Sequence, residues 1–349
     1  MKNTKANIIQ SEFLKSIEDI IRANSSLVVE LSEVLNISMD SAYRRIRGET
    51  MLSIEEIGML CEHFNISFDA FTRSKTGTVT FSYLPLEPLT ENFNLYHQNL
   101  LSEISVISAA KEKNLIYACQ DLPLFHHYRF TDLANFKVFY WKRSIMNVPE
   151  LANKKFGAET QFPDLIEKGQ AIVKAYSEVP SSEIWTDNTI QSTVKQIRFY
   201  WESGIFETRE DALRVCQALR NEVESIQLQA EYGTKIIDKN ILEDKERRKE
   251  ENEKVDPDTN YKLYISEIEL TNNCVLVNIG NIQSVYLGHF SFSTMSTRNE
   301  VYCKKTESWL NNIIRKSTLI SGVAEKQRYQ FFKNAHEKID QLVNYIEKE

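Results

Sequence analysis

The chain has 349 residues, of which 42% are hydrophobic and 26% are charged, and its formal net charge is -7. This length exceeds what one hydrophobic core usually supports, so two or three domains are expected, and the composition excludes a disordered chain. The negative charge provides no general attraction to nucleic acid, so binding of that kind would require a local basic patch.

The compartment is predicted from what the sequence lacks. The first ten residues contain no apolar core of the kind a signal peptide needs, and no run of about eighteen apolar residues occurs. The five cysteines are odd in number and never spaced as Cys-x-x-Cys, which argues against a disulfide framework and a structural zinc site. We therefore expect a cytoplasmic protein without a membrane partner.

A series of short helices is predicted between residues 10 and 71. Ser26 and Ser38 stand where helix N-caps are expected, and Ser53 with Glu56 forms a capping-box pattern. Between the second and third helices, Asn36 tolerates a left-handed turn and Ile37 can fill the angle between the helices. This pattern is typical of a helix-turn-helix.

The third helix has two predicted faces. At about 100° per residue, one face is expected to pack on the domain, and it carries Met39, Ala42, Tyr43 and Ile46. The other face is basic and is followed by a glycine at position 48, which is expected to end the helix. The candidate DNA-contacting residues are Ser38, Asp40, Ser41, Arg44, Arg45, Arg47 and Thr50. Arginine can pair with guanine in a major groove, and serine can bond a base edge or a phosphate.

The stretches 31–38, 42–48 and 53–69 resemble the Cro- and phage-repressor-like helix-turn-helix regulators, also called the xenobiotic-response-element type. The resemblance covers about a fifth of the chain. It implies a five-helix domain, often dimeric, whose third helix reads a double-stranded DNA operator. Where the family usually has an apolar residue three positions before the glycine, this chain has Arg45, so the register of base contacts is open by one position. None of the ten glycines follows alanine or cysteine, so the self-cleavage of some family members is not expected.

The remainder is predicted to be mainly helical, with a small antiparallel sheet near the C-terminus. Apolar spacing indicates helices around 91–113, 130–146, 162–179, 189–202, 209–241, 298–315 and 324–346. Alternation predicts a three-stranded antiparallel meander over 261–269, 273–279 and 284–295. Weaker strand candidates at 78–83 and 115–119 could join that sheet. The fold class is thus mainly α, an all-α N-terminal domain followed by a large α-rich α+β region.

Three domain segments follow. Residues 1–75 form the helix-turn-helix domain, 76–258 a helical middle region, and 259–349 the meander with two helices. The charged stretch 238–258 is expected to be a solvated helix end or connector. The last two segments could together form one sensor domain, because their order of elements broadly resembles sensor domains of the GAF or PAS kind. That is a reason to look for a cavity.

Other motifs carry weaker functional signals. Cys119, Asp121, His126 and His127 are all potential metal ligands, but their spacing matches no metal signature, so packing and local hydrogen bonding are expected instead. The aromatic triplets 139–141 and 199–201 suggest core packing, with ligand-pocket lining as the alternative. The long helix carries an apolar heptad stripe, whose partner is either another helix of this chain or a second protomer: Ala212, Cys216, Leu219, Val223, Ile226, Ala230 and Ile237.

The sequence therefore predicts a bacterial-type, sequence-specific transcription regulator that binds a DNA operator as a homodimer. The C-terminal region would dimerise it or receive a signal from a small-molecule or protein effector. The alternative is a helical interaction or scaffold protein without specific DNA binding. An enzyme is not expected, because no phosphate-binding glycine loop, nucleophile elbow or His-Glu-x-x-His motif occurs. No catalytic residue, metal or cofactor is predicted.

Overall fold

The computed structural model describes residues 3–18, 21, 26–64, 66, 68, 77–85, 87, 89–235, 260–289 and 292–348. The chain divides into two compact units, Met1–Phe81 and Ser82–Glu349. The predicted charged connector at 238–258, and with it Ile237 of the heptad stripe, lies outside the described residues.

The first unit is helical in its described part. Its helices are α1 (Asn3–Glu18), α2 (Leu27–Val34), α3 (Met39–Ile46) and α4 (Ile54–Phe64). Their apolar faces meet in one core, to which α1 contributes Phe13, Leu14 and Ile17 and α2 contributes Leu27, Val28 and Leu31. Helices this short are stable only through such packing. The fifth helix expected from the resemblance would fall after Phe64, where most residues lie outside the described part of the chain.

The second unit combines helices with a mixed sheet. Its helices are α5 (Thr90–Ala109), α6 (Thr131–Tyr140), α7 (Pro163–Ser177), α8 (Gln191–Glu202), α9 (Arg209–Tyr232), α10 (Glu300–Arg315) and α11 (Glu325–Lys348). Its strands are β1 (Ser82–Tyr83), β2 (Lys113–Cys119), β3 (Ser181–Trp185), β4 (Tyr261–Ile265), β5 (Cys274–Ile279), β6 (Ile282–His289), β7 (Ser293–Thr297) and β8 (Thr318–Leu319). These elements match the predicted helices closely, and they include β3, which no sequence pattern had indicated.

The predicted fold class is wrong in its sheet. Within the described residues the sheet has eight strands in the order β1-β7-β6-β5-β2-β3-β4-β8, and β2, β3 and β4 are parallel to one another. Parallel neighbours need long crossover connections, which α6–α7 and α8–α9 supply. The small antiparallel sheet is thus replaced by a large mixed one. Predicted segments 76–258 and 259–349 both contribute strands to it.

The predicted three-stranded meander is also wrong in its strand pairing. β5, β6 and β7 pair antiparallel in sequence order, whereas β4 pairs in parallel with β3 and is separated from β5 by two strands. The predicted strand 284–295 is divided between β6 and β7. The two weaker candidates do join the sheet, because β1 pairs with β7 and β2 pairs with β5.

Both faces of the sheet are covered. Alternate residues of a strand point to opposite faces. Leu115 and Tyr117 of β2 face the core built with α5 to α9 and α11, while Ala118 faces a second core that includes Leu310 and Ile313 of α10. The heptad stripe of α9 packs in the first core with Phe332, Ile339 and other residues of α11, so its partner lies in the same chain.

Candidate nucleic-acid interface

The turn between α2 and α3 has the predicted geometry. Asn36 adopts a left-handed conformation with φ of 52°, which asparagine tolerates better than most residues. The Ser32 hydroxyl donates to the carbonyl of Ile37 at 2.6 Å, and the Ile37 amide donates to the carbonyl of Ser32 at 3.0 Å. These two bonds fix the angle at which α3 leaves α2.

Helix α3 is capped at both ends. The Ser38 side chain accepts a hydrogen bond from the Ser41 amide at 3.3 Å, and its hydroxyl donates to the Ser41 hydroxyl at 3.0 Å. At the other end Gly48 adopts a left-handed conformation with φ of 72°, as a helix-terminating glycine does. The predicted Ser53–Glu56 capping box is also present, with reciprocal bonds of 2.9 and 3.1 Å.

A buried glutamine joins α1 to the end of α3. The Gln10 amide group donates to the carbonyls of Arg45 and Thr50 at 2.8 and 2.9 Å, and its oxygen accepts from the Leu52 amide at 2.8 Å. Sequence reasoning missed this residue. A signal was present, because Gln10 stands where the apolar spacing of Phe13, Leu14 and Ile17 would place a core residue. Thr50 thus contributes its carbonyl to the architecture of the domain.

The exposed face of α3 differs from the predicted one. Ala42 is buried and Ile46 is half-buried, as expected, but Met39 and Tyr43 are 44% and 50% exposed. The expectation that these two side chains pack on the domain is wrong. The outward face therefore combines an apolar and aromatic pair with charged neighbours, which are Asp40, Arg44 and Arg47.

The seven predicted contact residues fall into two environments. Ser38, Asp40, Arg44 and Arg47 are exposed, whereas Ser41, Arg45 and Thr50 are at least partly buried. Arg44 and Arg47 both lie near the Glu49 carboxylate, with nitrogen-to-oxygen distances of 3.7 and 3.3 Å. Because all three side chains are about half exposed, these pairs are weak and leave both guanidinium groups accessible to a phosphate or a base.

Arg45 faces inward. Its guanidinium donates to both oxygens of Glu56, at 2.6 and 3.2 Å, and to the carbonyl of Ser41 at 3.2 Å. Burial raises the pKa of the Glu56 carboxyl, but the bonds from Arg45 and from the Ser53 amide outweigh burial and hold that pKa below its ordinary value. Arg45 therefore positions α4 against α3.

The candidate metal ligands of the second unit do not converge. Cys119 is buried and its thiol contacts the carbonyl of Tyr117, and Asp121 accepts a bond from Asn273. His126 lies between two buried carboxylates, Glu183 at 2.9 Å and Glu222 at 3.5 Å. Among the described residues no group of three or more His, Cys, Asp or Glu side chains is placed to hold a metal ion.

Comparison with protein-family models, with curated proteins and with solved structures found no significant match. None of the helices in the described part of the chain has the length and apolar character that a membrane span needs.

Proposed function

We propose that the protein is a sequence-specific DNA-binding transcription regulator. One observation supports this most: α3 follows α2 through a left-handed turn and presents Arg44 and Arg47 on an exposed face, one turn apart. An α-helix fits the major groove of B-DNA, where arginine donates to guanine and a methyl or aromatic group contacts thymine. Tyr43 and Met39 supply the latter groups.

Each exposed residue has a proposed role. Arg44, near the middle of the helix, reads a base, and Arg47, near its end, contacts a phosphate. Asp40 lies in the first turn and can accept a bond from the amino group of cytosine while repelling misplaced phosphates. Ser38 and Ser41 lie at the N-terminal end of α3, where hydroxyls commonly contact phosphate. Arg45 is assigned to the packing of the domain.

The protein is proposed to act as a homodimer in the cytoplasm. The first 75 residues are not net basic, so one copy offers few phosphate contacts and little non-specific affinity. Two copies of α3 on half-sites one helical turn apart would double the contacts and specify a palindromic operator. The predicted interaction-protein alternative keeps one supporting observation, the exposed Met39 and Tyr43 on α3.

The test is selection from a random-sequence duplex library with the full chain at physiological salt. We expect the wild type to enrich one motif with two related half-sites. The double variant Arg44→Ala/Arg47→Ala should lose that enrichment, while Lys15→Ala, which removes an exposed cation from α1, should retain it. A wild-type protein that enriches no motif would contradict the proposal and favour the interaction protein.

A further inference from the structure

A cavity of about 610 Å³ opens at the carboxyl ends of the parallel strands. Its walls include Gln120 and Asp121 after β2, Thr186 and Asn188 after β3, and Glu269 after β4. In open α/β sheets ligands bind in the crevice at this edge. The volume also lies within the range of small-molecule sites, which is roughly 300 to 1,000 Å³.

Part of the wall is aromatic. Trp141 and Phe292 line the cavity together, with ring centroids 5.6 Å apart and planes at 34°. Tyr117 and Tyr140 add two further aromatic side chains. Trp141 also begins a π-helical turn, Trp141–Ile145, a form of backbone that is frequent at functional sites. These rings offer a surface on which a flat apolar face of a ligand can stack.

The polar part of the wall is rich in neutral hydrogen-bonding groups. Six side-chain amides line it, and these are Gln120, Asn188, Gln191, Gln196, Asn272 and Asn273. Asn188, Gln196, Asn272 and Asn273 use part of their capacity in bonds within the protein. Hydroxyl groups of serine and threonine add to them. Such a wall suits a ligand with several hydroxyl groups, because each hydroxyl both donates and accepts.

Three buried polar atoms of this wall have no hydrogen-bond partner among the described residues. They are the hydroxyls of Ser192 and Ser293 and Nδ1 of His127. Ser293 is 2% exposed and His127 is 3% exposed. Leaving such an atom unpaired costs about 1 to 3 kcal/mol, so each calls for an explanation. A ligand in the cavity would supply the missing partners.

The charges at the cavity balance. The Asp121 carboxylate accepts a bond from Asn273 at 2.5 Å, and the buried Lys137 ammonium, which donates to Gln196 at 2.8 Å, acts on Asp121 as an opposite charge. Burial lowers the pKa of Lys137 to about 8, and Asp121 opposes that shift. Lys195 and Glu269, which also line the cavity, add one charge of each sign. Neither an anion nor a cation is favoured by this arrangement.

We propose that this cavity binds an uncharged, hydroxyl-rich small molecule with one flat apolar face, of the sugar or nucleoside type. The aromatic wall takes the flat face, the amides take the hydroxyls, and Ser293 and His127 gain the partners they lack. The site lies wholly within the second unit, so this inference stands independently of DNA binding.

The test is isothermal titration calorimetry of the full chain, without DNA, against single probes. Glucose, maltose, adenosine and uridine represent the uncharged class, and glucose 6-phosphate and adenosine monophosphate are charged counterparts of two of them. We expect at least one uncharged probe to bind, with any charged counterpart at least about tenfold weaker, which corresponds to a lost or repelled polar contact. Binding by none of the uncharged probes, or tighter binding of a charged one, would overturn the proposal.

Substitutions of cavity residues test whether the probe binds in this cavity. Because the Ser293 hydroxyl has no partner among the described residues, Ser293→Ala should not lower the unfolding midpoint of the unliganded protein. The same substitution should weaken binding of the probe by about tenfold. Gln191→Ala, at a half-buried position of the wall, should weaken it as well. Ser308→Ala, on the exposed surface of α10, is the matched control and should change neither quantity. Unaltered affinity in both cavity variants would place the probe elsewhere and contradict the assignment.

Discussion

The guanidinium of Arg45 forms a two-point ion pair with the carboxylate of Glu56, at 2.6 and 3.2 Å. Both side chains are more than four-fifths buried, whereas the neighbouring Arg44 is more than half exposed. Adjacent arginines on α3 thus have different environments, since Arg45 joins α3 to α4 and Arg44 is exposed.

This difference predicts that substituting Arg45 and substituting Arg44 have unequal effects on stability. Arg45→Ala should lower the opening free energy of α3 and α4 by about 2 kcal/mol, because it leaves the Glu56 carboxylate without its cation. Arg44→Ala should change that free energy by less than about 0.5 kcal/mol, as exposed substitutions usually do. Amide hydrogen exchange of the full chain, followed on residues 39–46 and 54–64, measures both. Equal protection in the two variants would argue against a structural Arg45.

The glycine at position 169 allows close contact between α7 and a buried tyrosine. A Cβ added at Gly169 would lie 2.1 Å from the ring of Tyr128, which is fully buried. Gly169→Ala should therefore destabilise the second unit by about 1 to 3 kcal/mol, even though alanine favours helix. All four tryptophans lie in this unit, so tryptophan fluorescence during urea unfolding reports its stability.

The matched substitution is Gly58→Ala in α4, where an added Cβ meets nothing within 4 Å. Here alanine should slow amide exchange of α4, because glycine costs about 1 kcal/mol in a helix interior. A Gly169→Ala protein as stable as the wild type would show that Tyr128 can move aside.

The side-chain amino group of Lys235 donates hydrogen bonds at the C-terminal end of α7. It donates to the carbonyls of Tyr176 and Val179 at 2.6 and 2.5 Å and to the hydroxyl of Ser181 at 2.9 Å. Lys235→Met should lower the free energy of unfolding by about 3 kcal/mol, because three buried acceptors lose their donor. The control is Lys262→Met, which deletes a solvent-exposed lysine amino group of β4 and should change the free energy of unfolding little. Similar urea midpoints for the two variants would refute this role.

His126 should make the second unit sensitive to pH. Burial lowers the pKa of this histidine, but the carboxylates of Glu183 and Glu222 outweigh burial and raise it to about 9. A histidine with a raised pKa contributes its full stabilisation when the pH is below its pKa in the unfolded chain, about 6.5. That stabilisation is lost as the pH rises through the folded-state pKa of about 9. We expect His126 to contribute about 3 kcal/mol at pH 6 and much less at pH 9.5.

The measurement compares wild type with His126→Asn, because Lys235 and Lys137 titrate in the same range with the opposite sign. The stability difference between the two proteins should shrink from pH 6 to pH 9.5. The control is His336→Asn, since burial lowers the pKa of His336 and that group gives no stabilisation at low pH. A difference for His126→Asn that is constant with pH would contradict the proposed charge state.

Local patterns predicted the helices well and the sheet poorly. The helical segments follow from spacing within about twenty residues. β3 reads Ser-Ser-Glu-Ile-Trp and so lacks the apolar run expected of a buried strand, and its Glu183 is a carboxylate at a buried position. That carboxylate is tolerated because four side chains bond to it, and these are His126, Tyr176, Trp185 and Tyr261. Two of them, His126 and Tyr261, come from distant parts of the chain. The parallel pairing of β3 with β4 likewise has no local signal.

The sequence predicted the backbone turn and helix ends of the candidate interface better than it predicted which side chains of α3 are exposed. Ser38, Asn36 and Gly48 have positions that any helix-turn-helix pattern requires, and they adopt them. The rotation of α3 depends instead on Gln10 and Glu56, which contact it from α1 and α4. A helical wheel contains no information on these contacts, so it cannot show that Arg45 faces inward and Tyr43 faces outward.

The most direct test of the proposed regulator is a salt-dependent titration of the full chain on the duplex that the library selection enriches. We predict that the affinity for this duplex falls steeply as salt rises from about 50 to about 200 mM, because side chains that neutralise phosphates release counterions on binding. Arg44→Ala should cost about 1 to 3 kcal/mol and relax base preference, while Arg47→Ala should reduce the salt slope by about one and weaken all sequences alike. An affinity that ignores salt and is unchanged in both variants would contradict DNA recognition by α3.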